Sequence, residues 1–243
     1  MLYAKAFFDL QLTFAERVVA LSGLPLEPAL LDYTNLYLRL GLGRLFDPAH
    51  PIWQEYLAGL REAPDPREWT YRFYSRRGEA ATGPSIVASF GCFSYGRLDG
   101  DRIRLHFRNA ETEGHAPLAA ERRAHRLAEL AALFTHVRRT MPGPCRVIGA
   151  SWLYNLDAYR RLFPAAYLAS ARAVGDRFRH MPLWGQFLDR HGEVKPSVSR
   201  AFLERLALQS SLDGLEGSFP FQVLSLEAPC TALYGFYDIE PAR

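Results

Sequence analysis

Lysine is almost missing from this chain of 243 residues: it occurs only at Lys5 and Lys195, and the rest of the 29 basic residues are arginine. Arginine suits two-pronged contacts with carboxylates and phosphates better than lysine does. A coding bias towards arginine gives the same composition, so the skew alone names no partner. Cysteine is scarce too. Cys92, Cys145 and Cys230 are odd in number and scattered, with no CxxC spacing. That argues against a zinc site or a disulfide framework and predicts three free thiols in a reducing compartment. No apolar stretch approaches the roughly 20 uncharged residues that span a bilayer. Near the start, Asp9 and Glu16 interrupt the apolar residues, which predicts an amphipathic helix rather than a secretory signal. These absences place the protein in the cytoplasm, with no membrane partner. No HExxH occurs, and His125/His136 and His180/His191 are each eleven residues apart. On a helix that is about 16 Å, too far to share one ion. No metal site is expected.

The residues that are present describe an α+β chain. Hydrophobic residues make up 49% and charged residues 23%, with a net charge of +3; this is globular composition with too little excess charge to imply a polyanion. Nucleic acid is not an expected partner. Phe7, Leu10, Phe14, Val18 and Leu21 recur at helical spacing before Gly23. Leu30, Tyr33, Tyr37 and Leu40 predict a second helix, and Trp53, Tyr56, Leu57 and Leu60 a third that begins at Pro51. The polar stretch Glu62 to Arg67 holds two prolines and is the best boundary. The expected organisation is therefore a helical N-terminal part over 1–66 and an α+β domain over 67–243.

Trp69, Tyr71 and Phe73 alternate with Thr70, Arg72 and Tyr74, which predicts a strand. A β-rich run follows at 85–96, and Asp99-Gly100 predicts a hairpin turn. The returning strand puts Ile103, Leu105 and Phe107 on one face, with Arg102, Arg104, His106 and Arg108 on the other. A long helix is predicted over 117–141, burying Leu127, Leu130, Phe134, Val137 and Met141 and stopped by Pro142-Gly143-Pro144. Beyond it the pattern predicts a buried strand over 145–150, a helix N-capped by Asn155, a strand over 166–174 and a short helix over 183–188. A helix N-capped by Ser197 and closing strands over 220–227 and 231–238 complete the chain. The fold class expected is α+β, a mixed and largely antiparallel sheet flanked by helices.

The motifs that carry chemistry are few. Ser94, in Cys92-Phe93-Ser94-Tyr95-Gly96, misses the hydrolase GxSxG elbow by its first glycine and sits in a predicted hairpin, not a strand-to-helix turn. Gly41 and Gly43 follow a helix rather than a strand, so a phosphate loop is not met. The aromatic and basic mixture from Trp69 to Arg77 reads as a half-buried strand or as a platform for nucleobases. The cationic strand face is either solvated surface or an anion site, with His106 placed to act as a base.

Leu105-His106-Phe107, a long helix, and then Ala150-Ser151-Trp152-Leu153 followed by Tyr159 and Pro164 resemble the GNAT-like acyltransferase proteins, a divergent N-acetyltransferase fold. The resemblance covers about residues 102–226, and the helical part over 1–84 resembles the separate segment often attached to such domains. It implies transfer from acyl-coenzyme A to an amine of a small molecule or peptide. Arg108 and Gly114 would lie at the donor phosphates and His106 would be the base. Arg104, Ser151, Trp152 and Tyr154 would bind the acceptor. The loop from Arg108 to Pro117 lacks the Arg/Gln-x-x-Gly-x-Gly/Ala pattern of that family, and Glu111 and Glu113 are expected to repel a pyrophosphate. The alternative is a non-catalytic module that holds a peptide or partner protein for another enzyme.

Overall fold

In order along the chain, the main elements are α1 (Lys5–Ser22), α2 (Leu26–Tyr33), α3 (Leu36–Arg39), α4 (Pro51–Glu62), α5 (Pro66–Arg77), β1 (Ala88–Phe90), β2 (Phe93–Arg97) and β3 (Arg102–Phe107). They continue as α6 (Arg123–Thr140), β4 (Arg146–Ser151), α7 (Asp157–Arg160), α8 (Ala165–Leu168), β5 (Arg172–Ala173), α9 (Met181–Trp184), α10 (Pro196–Ala207), β6 (Leu224–Pro229) and α11 (Cys230–Phe236). This computed structural model describes residues 2–77, 85–111, 114, 116–175 and 178–239. The chain forms two compact units, one of Met1–Thr82 with Gly175–Gln222 and one of Gly83–Val174 with Val223–Arg243. The first unit thus takes in α5, α9 and α10 as well as the helical segment over 1–66.

Within the first unit, α1 buries Phe7, Phe8, Leu10, Phe14 and Val18, a stripe at helical spacing. Phe14 meets Trp184, Phe202 and Phe219, and Phe187 and Phe219 each lie 4.9 Å from Phe202 between ring centres. The strand expected at 69–74 is instead part of α5. Thr70, Phe73 and Tyr74 are its buried residues, spaced three and four apart. Asp65 starts the helix by accepting from the Arg67 and Glu68 backbone N–H groups at 2.9 and 3.1 Å.

The second unit is an α+β fold around a six-stranded sheet in the order β1-β2-β3-β4-β6-β5. Only β3 and β4 run parallel; every other pair is antiparallel. The hairpin between β2 and β3 turns at Asp99-Gly100, where Gly100 takes φ +74°. The β-rich run at 85–96 is split into β1 and β2 by a second turn at Gly91-Cys92. One face carries Phe93, Tyr95, Ile103, Leu105, Val147, Leu226 and Ala228, all buried. Against it α6 packs Leu130, Leu133, Phe134 and Val137, none of them exposed, while Leu127 and Met141 are partly buried at its margin.

Several expected elements differ. The strand over 231–238 is α11, and the segment 166–174 is α8 followed by a strand of two residues. Asn155 lies inside a 3-10 turn, with Leu156 at the N-cap of α7, and α10 starts from Lys195 with Pro196 in its first turn rather than from Ser197. Helical starts here are set by proline and neighbouring turns, so a capping side chain in the sequence marks them only to within a residue or two.

The cysteines are not all free. Cys145 and Cys230 form a disulfide across 85 residues, with Cα atoms 5.3 Å apart, while Cys92 is a buried free thiol. Residues 145 and 230 are brought together by the antiparallel register of β4 and β6, in which Arg146 faces Pro229. Nothing in the sequence spacing foretells that register. No described helix is long and apolar enough to cross a membrane.

Candidate functional site

Parallel strands β3 and β4 pair over three positions only: Arg102 with Arg146, Ile103 with Val147 and Arg104 with Ile148. Beyond Arg104, β3 continues along β2, where Leu105, His106 and Phe107 face Tyr95, Ser94 and Phe93. Beyond Ile148, β4 continues along β6, where Gly149, Ala150 and Ser151 face Leu226, Ser225 and Leu224. The sheet therefore forks between these strands.

Side chains alternate across the sheet, so Arg102, Arg104 and His106 share the face opposite the core with Arg146 and Ile148. Arg104 and His106 are half-buried there. Arg146 Nε donates to Glu227 Oε1 at 2.5 Å on the next strand. Trp152 is half-buried, and Ser151 Oγ accepts from the Leu153 backbone N–H at 3.1 Å, which starts a 3-10 turn. Ser151 falls on the core-side parity of β4, away from Arg104 and His106. Tyr154 is farther from solvent still: it is 3% exposed, and its hydroxyl bonds that of Tyr167 at 2.8 Å. Both hydroxyls crowd Gly149, where a Cβ would overlap them. Burial pushes the Tyr154, Tyr159 and Tyr167 hydroxyls up, away from ionisation. The fold thus joins His106 and Arg104 on one face and places Tyr154 in the core.

Between β3 and α6 the chain carries Arg108, which is exposed, and Gly114, which takes φ +33°. Glu113 lies outside the described residues. Glu111 does not stand in that loop as a free negative charge. Arg122 Nε and Nη2 donate to its two oxygens at 2.9 and 3.1 Å, and Arg126 Nη2 donates to Oε1. Burial disfavours the charged form of Glu111, but the Arg122 hydrogen bond and the charges of Arg126 and Arg122 outweigh it and hold the carboxyl below its usual range. The expected repulsion of a pyrophosphate by Glu111 is cancelled by two guanidinium groups.

Arg126 itself is 2% exposed, and it anchors the cluster. Its Nη1 donates to Cys92 Sγ and lies 3.2 Å from Glu129 Oε2, and Glu129 Oε2 accepts the Cys92 backbone N–H at 3.1 Å. Burial raises the Cys92 thiol, so it stays protonated. This cluster escaped the sequence reading, although Arg126 stands four residues before Leu130 on the buried stripe and four after Arg122. An arginine at a core position is the signal, because a buried cation demands acidic partners. Among the described residues no group of three His, Cys, Asp or Glu side chains is placed to hold a metal ion. The chain matches no protein-family model, no curated protein and no solved structure.

Proposed function

We propose that the chain is a GNAT-like N-acyltransferase that moves an acyl group from acyl-coenzyme A to an amine of a small molecule or peptide. The observation that carries this reading is the fork. The strand ending in Leu105-His106-Phe107 and the strand running into Ser151-Trp152-Leu153 are parallel neighbours whose pairing stops at Arg104 and Ile148. Splayed strands at this place are what the resemblance implies for the acyl-donor site. The loop that follows β3 leads into α6, as a donor-phosphate loop would.

In this reading the amine attacks the thioester carbonyl, a C–N bond forms and the C–S bond breaks. His106 takes the amine proton, and the coenzyme A thiolate leaves. Holding the two reactants together supplies most of the rate effect. Arg108 and Gly114 lie at the donor phosphates. Arg104 and Trp152 serve the acceptor, Ser151 starts the 3-10 turn that carries Trp152, and Tyr154 braces that wall from the core through Tyr167.

The test is calorimetry with acetyl-coenzyme A, followed by thiol release in the presence of a panel of amines. Binding and turnover are expected, and His106→Ala should cut the rate about 10²–10⁴-fold with donor binding retained. No binding, together with a second protein that co-purifies with the chain, would replace this reading with the non-catalytic module.

A further inference from the structure

Three N–H groups converge on the single carboxylate of Glu111: Arg122 Nε at 2.9 Å, Arg122 Nη2 at 3.1 Å and Arg126 Nη2. Paired guanidinium groups arranged this way fit the oxygens of a phosphate as well as they fit a carboxylate. The two arginines are one helical turn apart at the start of α6, the end of a helix that favours negative charge. Arg126 is fixed independently of Glu111, because its other terminal nitrogen is held by Cys92 Sγ and Glu129. The loop is pinned just before Glu111 as well. Asn109 Oδ1 accepts the Glu111 backbone N–H at 3.0 Å, and Cys92 Sγ accepts the Ala110 backbone N–H at 3.4 Å. Only the side chain of Glu111 has to swing for both guanidinium groups to change partner. When it does, the cluster of Arg122, Arg126 and Glu129 is left with one net positive charge beside a fixed backbone.

We propose that Glu111 is a built-in competitor for a diphosphate: its carboxylate occupies the Arg122–Arg126 pair in the free protein and is displaced when the diphosphate of a ligand binds there. The inference rests on the acyl-coenzyme A reading for the source of that diphosphate and adds an autoinhibitory residue to it. The site is self-neutralised without ligand, which lets two arginines stand together where they would otherwise repel, and it raises the ligand concentration needed for half-saturation.

The experiment compares the native chain with Glu111→Gln by calorimetry, using acetyl-coenzyme A and inorganic pyrophosphate as separate probes, with Arg122→Gln as the control that removes two donors. Glu111→Gln is expected to bind both probes at least about tenfold more tightly than the native chain, a difference of ~1.4 kcal/mol. Arg122→Gln should weaken both. If the native chain binds acetyl-coenzyme A and Glu111→Gln binds it no better, the competitor role is wrong while the acyltransferase reading stands. If Glu111→Gln gains affinity for pyrophosphate alone, the competitor role stands and acyl-coenzyme A is the wrong source. If no form binds either probe, both fall. Should Glu111→Gln fail to fold, the native chain labelled with ¹⁵N-arginine still decides the matter. The Arg122 Nε–H resonance, assigned from Arg122→Gln, must move on saturation with pyrophosphate, and an unmoved resonance overturns the proposal.

Discussion

Gly91 sits at the turn between β1 and β2 with φ +57°, and a Cβ built on it would overlap Glu129 Oε1. The carboxylate reaches in that close because Glu129 accepts the Cys92 backbone N–H and pairs with Arg126. Replacing Gly91 with alanine therefore strains the backbone and pushes Glu129 away from both partners. We expect Gly91→Ala to lose about 1–3 kcal/mol of stability in urea unfolding, with an unchanged slope. A loss below the error of the measurement would show that the turn and Glu129 adjust freely. Arg126 depends on the same turn, so the anion cluster and the β1–β2 hairpin stand or fall together.

At the scale of elements, α5 shows how one pattern of apolar residues fits two periods. Trp69, Tyr71 and Phe73 alternate as a strand would, yet Thr70, Phe73 and Tyr74 are the residues the helix buries. A short aromatic-rich segment satisfies both periods, and the start signal decides between them. That signal was present in the sequence as Asp65-Pro66-Arg67-Glu68, an acceptor at the N-cap with proline in the first turn and Glu three residues on. Asp65 lies below the usual carboxylate range, chiefly through the Glu68 backbone N–H. A carboxyl depressed by folding stabilises above its unfolded pKa, and that contribution is lost as pH falls through the folded value. Acidification below about pH 4 should therefore lower the melting temperature of the native chain. Asp65→Ala should melt lower at neutral pH and show a shallower acid limb, and Asp65→Asn, which keeps the cap, should melt between the two. Equal acid limbs in all three would remove Asp65 from the account. In α6 the period was unambiguous, and Leu130, Phe134 and Val137 are core as expected.

For the whole molecule, the disulfide links the start of β4 to the start of α11 across 85 residues and closes a long loop in the unfolded chain. Loops of that length give bridges worth roughly 2–5 kcal/mol. Cys145→Ala/Cys230→Ala, or reduction of the native chain, should lower the urea midpoint accordingly. Thiol labelling of unfolded, unreduced protein should count one thiol, Cys92, and labelling after reduction should count three. Three thiols before reduction would contradict the bridge.

Local physics was enough to write much of this protein from its sequence. The helical spacing of α1 and of α6, the hairpin at Asp99-Gly100 and the two-faced alternation of β3 depend on residues within a few positions of one another, and β3 is the element that carries Arg104 and His106. The tertiary structure alone decided which strands became neighbours. It set β4 parallel to β3 for three pairs and antiparallel to β6, and so made the fork, joined Cys145 to Cys230 and drew Tyr154 and Tyr167 together over Gly149. It also brought Glu111 and Cys92, from outside the helix, to Arg126 and Glu129 on α6. Contacts between residues thirteen to more than eighty positions apart are fixed by how apolar faces and buried charges are satisfied across the whole unit, and no periodicity within one segment encodes that choice.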